Sequence, residues 1–234
     1  MSITGKVHSF QSLGAVDGPG VRFVIFLQGC PYRCPYCHNP DTRPFSGGTE
    51  YSVEELVAKA ERFRPYFGEK GGVTVSGGEP LIQAEFVAEL FEALHKKGIT
   101  TALDTAGIKV TDAVCRVLQN TDTVLCDIKF PTDALYREHI GTGLETVLEF
   151  IEECNKTDAN VIIRHVVVPG LTDSEESIRQ ISQLTKRVKR LVKTELLPFR
   201  KLCIQKYNEL GIDFPLASTE ECSAQTISRL QKLL

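Results

Sequence analysis

The sequence has no long apolar run. Its longest, Val21–Leu27, is broken by Arg22 and falls far short of the ~20 residues a membrane-spanning helix needs. The N-terminal stretch MSITGKVHSFQSLGAV carries no apolar core of the kind a secretory signal requires. Neither sign of charge is in excess: 27 Lys and Arg against 30 Asp and Glu leave a net charge of −3. That balance removes the broad electrostatic case for nucleic acid. There is no internal repeat, low-complexity segment or linker, so a single domain, 1–234, is expected. What is present is ordinary globular composition, with 42% apolar and 24% charged residues. The expectation is a cytoplasmic monomer in a reducing compartment, with no membrane and no nucleic acid among its partners.

Eight cysteines in such a compartment read as metal ligands and buried thiols, not disulfides. Cys30, Cys34 and Cys37 fall in the run GCPYRCPYCHN as C-x3-C-x2-C. Three thiolates this close can hold a cube of iron and sulfide, but a cube has four irons. Proteins whose clusters only carry electrons usually add a fourth cysteine nearby. Here the next one is Cys115, far along the chain. One iron is therefore expected to lack a protein ligand, which leaves an open metal position for chemistry. A structural zinc site is the alternative, with His38 as fourth ligand, but adjacent Cys37 and His38 are poorly placed around one tetrahedral ion. Pro31, Pro35 and Pro40 stiffen the loop. Cys115, Cys126, Cys154, Cys203 and Cys222 stand alone and read as small hydrophobes or incidental thiols.

The rest of the chain alternates strand and helix. Strands are expected at Arg22–Gly29, Gly72–Ser76, Thr100–Asp104, Thr123–Lys129, Val161–Val168 and Leu191–Leu197. Between them lie helices opening at Ser52, where Glu55 completes a capping box, and at Phe86–Lys97, Asp112–Gln119, Gly143–Cys154 and Ser174–Arg187, with Thr219–Leu234 closing the chain. Alternation means parallel strands with helical crossovers. A complete eightfold barrel needs about 250 residues, so the fold class is α/β, a partial (β/α)6 TIM-type barrel. An open doubly wound sheet is the alternative. In both, functional groups gather at the C-terminal ends of the strands.

Several polar residues pass that filter. Ser76-Gly77-Gly78-Glu79-Pro80 ends one strand, where bare backbone can approach a ligand and Glu79 can accept from an amine. Asp104, Asp127 and Lys129 end the next two strands. They fit either a cation and ligand site or an internal ion pair of the barrel. Arg164 lies among apolar residues and needs a partner inside, either a barrel aspartate or a ligand carboxylate. Asp17 opens the tight turn Asp17-Gly18-Pro19-Gly20, where capping is the simplest role. His8, His95 and His139 have no spacing argument, and the basic run from Lys186 to Lys193 reads as a solvated face.

C-x3-C-x2-C followed by SGGEP resembles the radical S-adenosylmethionine (SAM) superfamily. HSFQSLGAVDGPGVRFVIFLQGC, CPYCHNP, VTVSGGEPLIQAEF, ALDTAG, DIKF, IIRHVVVPGLTD and ELLPF, in that order, resemble its glycyl-radical enzyme activases. The resemblance is dense to about Phe199 and loose from Lys201. It implies a partial barrel, a four-iron four-sulfur cluster on Cys30, Cys34 and Cys37, and SAM on the open iron. It further implies that Tyr36, Cys37 and His38 line SAM beside the cluster and that Gly78 meets its amino group. Asp127, Ile128 and Lys129 would lie along its ribose and carboxylate, and Arg164 is also matched. Asp104, Thr105, the Leu125 carbonyl and Asp127 would form a monovalent-cation site for Na+ or K+. Asp17 would lie near a bound target peptide. A family histidine that meets SAM is replaced here by Arg200, which is expected to take over as donor.

The implied reaction is reductive cleavage of SAM to a 5′-deoxyadenosyl radical, which takes hydrogen from a glycine Cα of pyruvate formate-lyase. Flavodoxin or a similar protein would supply the electron. The alternatives are activation of another glycyl-radical enzyme, a radical SAM enzyme acting on a small molecule such as a deazapurine synthase, and a non-catalytic electron carrier or zinc-binding module.

Overall fold

The computed structural model describes residues 3–234. Within them lie strands β1 (Thr4–Gly14), β2 (Arg22–Leu27), β3 (Thr49–Ser52), β4 (Gly72–Gly77), β5 (Thr100–Thr105), β6 (Thr123–Asp127), β7 (Asn160–Val167) and β8 (Leu191–Pro198). They form one sheet in the order β3-β1-β2-β4-β5-β6-β7-β8. From β2 to β8 every pairing is parallel, while β1 pairs antiparallel with both β2 and β3. The sheet does not close, because β3 and β8 remain at its two ends. It is a six-stranded partial barrel with a two-stranded antiparallel extension.

Helices α1 (Val53–Glu61), α2 (Arg64–Phe67), α3 (Ala84–Lys96), α4 (Asp112–Gln119), α5 (Asp133–His139), α6 (Leu144–Cys154) and α7 (Glu175–Thr185) fill the connections, and α8 (Ile204–Glu209) and α9 (Ala224–Leu230) follow β8. Among the described residues no helix is long and apolar enough to cross a membrane. Helix α3 shows how they attach: Val87, Leu90, Phe91 and Leu94 form one buried stripe at helical spacing.

Strand alternation assigns each side chain to one of two environments. Phe23, Ile25, Leu27, Val73, Val75, Leu103, Val124, Cys126, Val161 and Ile163 join the main core beneath the helices. The alternate residues Val24, Thr74, Ala102, Leu125 and Ile162 are also buried, but they face the barrel interior. Two residues further along those inner rows come Ser76, Asp104, Asp127 and Arg164. The strand pattern therefore carries polar groups into the C-terminal mouth of the barrel.

The opposite end is floored by the 15–20 segment and Arg22, which is 1% exposed. The Arg22 guanidinium donates to Thr74 Oγ1 at 3.0 Å, Thr100 Oγ1 at 3.0 Å and the Val73 carbonyl at 2.5 Å. It also reaches the carbonyls of Pro19, Lys70 and Thr100.

The six parallel strands fall where the sequence places them, but five other strands and helices, β1, β3, α2, α5 and α8, have no counterpart in it. β1 and β3 are polar edge strands, and β1 is interrupted by register shifts, so neither has the apolar period of a buried strand. The short helices α2, α5 and α8 span four to seven residues, too few to show a helical period in sequence. The closing helix is shorter than the expected Thr219–Leu234, because α9 begins only at Ala224, capped by Ser223. The residues before it are used otherwise: Cys222 N–H donates to the Phe199 carbonyl at 3.1 Å, and Glu221 accepts from Lys201 N–H at 2.7 Å.

Candidate active site

A cavity of about 310 Å³ opens at the C-terminal ends of the parallel strands. One wall is the loop after β2. Gly29, at φ +101°, turns the chain out of the strand. The loop base is then tied by Gly29 N–H to the Thr42 carbonyl at 2.7 Å and Cys30 N–H to the Arg43 carbonyl at 3.1 Å. Two tyrosines stitch the loop across the mouth. Tyr32 Oη donates to the Gly107 carbonyl, and Tyr36 Oη to the Lys129 carbonyl at 2.8 Å.

Cys30, Cys34 and Cys37 all line the cavity. Burial pushes the Cys30 thiol up to about 12 and the Cys34 thiol up to about 11. These positions therefore need a metal's charge to become thiolates. Among the described residues no three His, Cys, Asp or Glu side chains converge on a point where one ion could sit. Three thiols lining one cavity suit a cluster with several corners.

The floor beside the cysteines is the end of β4. Gly78 N–H donates to the Leu27 carbonyl at 3.0 Å and Glu79 N–H to the Gly29 carbonyl at 2.9 Å. A Cβ at Gly78 would overlap the Gly29 carbonyl and stand 3.1 Å from Cys30 Cβ, so no side chain fits there. Glu79 is 1% exposed and its carboxylate is already engaged. It accepts from Thr105 Oγ1 at 2.6 Å, Ala106 N–H at 2.9 Å and Leu81 N–H at 3.1 Å. Burial pushes it up to about 7 against the pull of those three donors.

The far wall is a charge cluster centred on Arg164. Its Nε donates to Asp127 Oδ1 at 2.8 Å and its Nη2 bonds Asp104 Oδ1. Ser76 Oγ donates to the other Asp104 oxygen at 2.8 Å, and Lys129 Nζ meets Asp127 Oδ2 at 2.5 Å. Burial alone would raise Asp127, but Arg164 and Lys129 outweigh it and hold the carboxyl down at about 2. For Asp104 burial dominates and the shift is upward despite Arg164. Of the two readings open for these carboxylates, the internal ion pair is thus formed, and it lines the cavity.

Tyr36, His38, Gly78, Glu79, Asp104, Thr105, Asp127, Lys129 and Arg164 all reach the cavity wall with the cysteines. Leu125 and Ile128 are buried outside it. Asp17 also lies off the cavity. Its Oδ2 is buried with no hydrogen-bond partner, and burial, then Asp104, raises its pKa. Arg200 is not brought to the site: its guanidinium bonds the Cys222 carbonyl at 2.7 Å and lies 3.5 Å from Glu221. Ser76, Tyr32, Val166 and Leu197 line the cavity without having been singled out as ligand-binding residues. For Ser76 the signal was available, since it shares the inner row of β4.

Residues 24–181 match the family model of the radical SAM superfamily. The chain belongs to the radical SAM superfamily. It is 43% identical over 233 residues to a pyruvate formate-lyase-activating enzyme of Clostridium pasteurianum, covering 99% of this chain and 98% of that one. It is 38% identical over 237 residues to a pyruvate formate-lyase 1-activating enzyme of Escherichia coli strain K12, covering 100% of this chain and 96% of that one. Among solved structures, a radical SAM methyltransferase from Sphaerobacter thermophilus superimposes with a TM-score of 0.61 at 17% identity, over 91% of this chain and 63% of that one. That likeness speaks to the fold alone.

A radical SAM protein uses a four-iron four-sulfur cluster and SAM, and the residues present fit both. Three thiols at one wall are available as cluster ligands. The glycine floor beside them leaves backbone bare, and the opposite wall offers matched charges for a zwitterionic ligand.

Proposed function

We propose that this chain activates pyruvate formate-lyase by generating a glycyl radical in it. The identity of 43% across 99% of the chain to an activating enzyme of that name carries the reading, and the cavity supports it. When bound, the cluster and SAM supply a carbon-centred radical able to remove hydrogen from a glycine Cα.

The chain's own residues hold and shield that chemistry. Cys30, Cys34 and Cys37 would hold the cluster and would leave one iron free for SAM. Gly78 would let the SAM amino group approach the backbone, and Tyr36 and His38, on the same cavity wall, would flank it. Asp127 and Lys129 would lie along its ribose and carboxylate, with Arg164 fixing Asp127, while Ile128, buried outside the cavity, would only space the two. Glu79 acts through the backbone it ties together, since its oxygens are occupied. A monovalent cation, Na+ or K+, would sit near Asp104, Thr105, Asp127 and the Leu125 carbonyl. The carboxylates at neighbouring strand ends support it, although they are shared with Arg164. Arg200 becomes a SAM donor only by leaving Cys222 and Glu221. Asp17, off the cavity with one buried unpartnered oxygen, would meet the target segment only if that segment reached past the mouth, and the unclosed sheet would admit it from the side. A flavodoxin-type reductant, a monomeric single domain and a cytoplasmic setting complete the reading.

The test is spectroscopic. Anaerobically reconstituted protein, a one-electron reductant, SAM and pyruvate formate-lyase are expected to produce a glycyl-radical signal in electron paramagnetic resonance. A protein that cleaves SAM yet leaves pyruvate formate-lyase without that signal refutes the assigned target.

A further inference from the structure

The cysteine loop is held from outside as well as from within. The outer contacts come from the part of the chain that follows β8. His38 Nε2 donates to the Arg200 carbonyl at 2.9 Å. Tyr207 Oη donates to the Cys37 carbonyl at 3.2 Å. Lys206 Nζ donates to Asn39 Oδ1 at 2.9 Å and lies 3.0 Å from Asp41 Oδ2. Cys37, His38 and Asn39 are consecutive, and each of the three has a partner in the 200–207 segment.

That segment is itself anchored. Tyr207 is 1% exposed, with its ring 4.8 Å from that of Phe214. Lys201 Nζ donates to the Ala217 carbonyl at 2.7 Å, and Cys222 N–H closes back on Phe199. Asn39 to Arg43 also closes the loop base on Gly29 and Cys30. Force applied at Lys206 therefore bears on the first cysteine as well as the third.

We infer that Arg200, Lys206 and Tyr207 form a retention clamp that sets how long the iron–sulfur cluster stays in the protein. In these contacts they touch no reacting atom; they are positioning residues, Arg200 through its carbonyl on the His38 ring, Tyr207 on the Cys37 backbone and Lys206 on the Asn39 and Asp41 side chains. The inference rests on the cluster reading of Cys30, Cys34 and Cys37. Iron leaves only when the loop opens, and opening must break the clamp's bonds. Removing one bond to the loop backbone, or one charge-assisted contact, makes opening roughly three- to tenfold more frequent.

The experiment is anaerobic release of iron to a chelator from full-length protein reconstituted with ferrous iron and sulfide. Lys206→Met and Tyr207→Phe are expected to release iron roughly three to ten times faster than the parent. Gln205→Ala, whose side chain bonds only Glu209 on the same helix, is expected to release it at the parental rate. Thermal midpoints of the iron-free proteins separate retention from folding. Faster release in variants with a parental midpoint supports the clamp. Parental release rates in both variants, or release that rises only as the midpoint falls, overturn it. A parent that takes up no cluster refutes the cluster reading itself.

Discussion

Arg164 balances two carboxylates on a single fork, and its need for a partner was legible from apolar neighbours on both sides. Which partner it takes was not, because Asp104 and Asp127 come from other strands. Glu79 shows the opposite limit. Its place after two glycines suggests a ligand acceptor, but Thr105 and Ala106 arrive from β5 and its end to occupy it. His165, on the outer row of β7, gave no signal at all. It is 1% exposed, bonds the Ile128 carbonyl through Nδ1 at 2.7 Å, and leaves Nε2 buried without a partner. Burial pulls its pKa down to about 4. Between that value and the ordinary 6.5 of a free histidine, the unfolded chain binds a proton that the folded chain refuses. Its contribution is thus fully present above about pH 6.5 and is lost on acidification towards 4. The stability gap between the parent and His165→Phe is expected to narrow by roughly 2 kcal/mol from pH 7 to pH 5. Urea unfolding of both proteins at the two pH values measures this, and a gap that stays constant would show that His165 accepts a proton in the folded state.

Elements with a local chemical signature were the ones most readable. The Ser52-x-x-Glu55 pattern fixed the start of α1, and both halves of the box are formed: Glu55 N–H to Ser52 Oγ at 3.2 Å and Ser52 N–H to Glu55 Oε2 at 2.8 Å. Ser52→Ala is expected to cost about 1 kcal/mol, read as a lower urea midpoint at unchanged denaturant slope. A parental midpoint would mean that packing of Val53 and Leu56 alone sets the helix start. Elements whose position depends on distant chain were unreadable. β3 is four residues, TEYS, and exists only because β1 offers an edge. The 219–223 stretch, TEECS, runs into the helix in sequence, but bonds to Phe199 and Lys201 hold it out. That same tertiary override built the clamp over the cysteine loop, where the family resemblance is weakest.

At the scale of the molecule, an unclosed sheet still makes a compact body. The accessible surface is 11016 Å², close to the roughly 10,500 Å² expected for a folded monomer of this mass. The opening serves the mouth, so the opposite end must hold the strands together without ring closure. Arg22 does this. Its six hydrogen bonds go to hydroxyls and carbonyls of the 17–20 turn, the chain before β4, β4 itself and β5. In the sequence it is only an interruption in an apolar run, because its partners lie 3 to 78 residues away. Gly20, at φ +68°, lets the turn press against Gly71, where a Cβ would come within 2.5 Å of the Gly71 nitrogen. Arg22→Met leaves those acceptors buried and unpaired, and is expected to cost about 3–5 kcal/mol. Arg22→Lys is expected to recover little of that loss. An ammonium presents three donors from one point, whereas the guanidinium spans several strands with a planar fork. Urea unfolding of the two variants beside the parent decides it. If lysine restores the parental midpoint, the floor needs only a positive charge, and the fork's geometry is not what joins the strands of the open barrel.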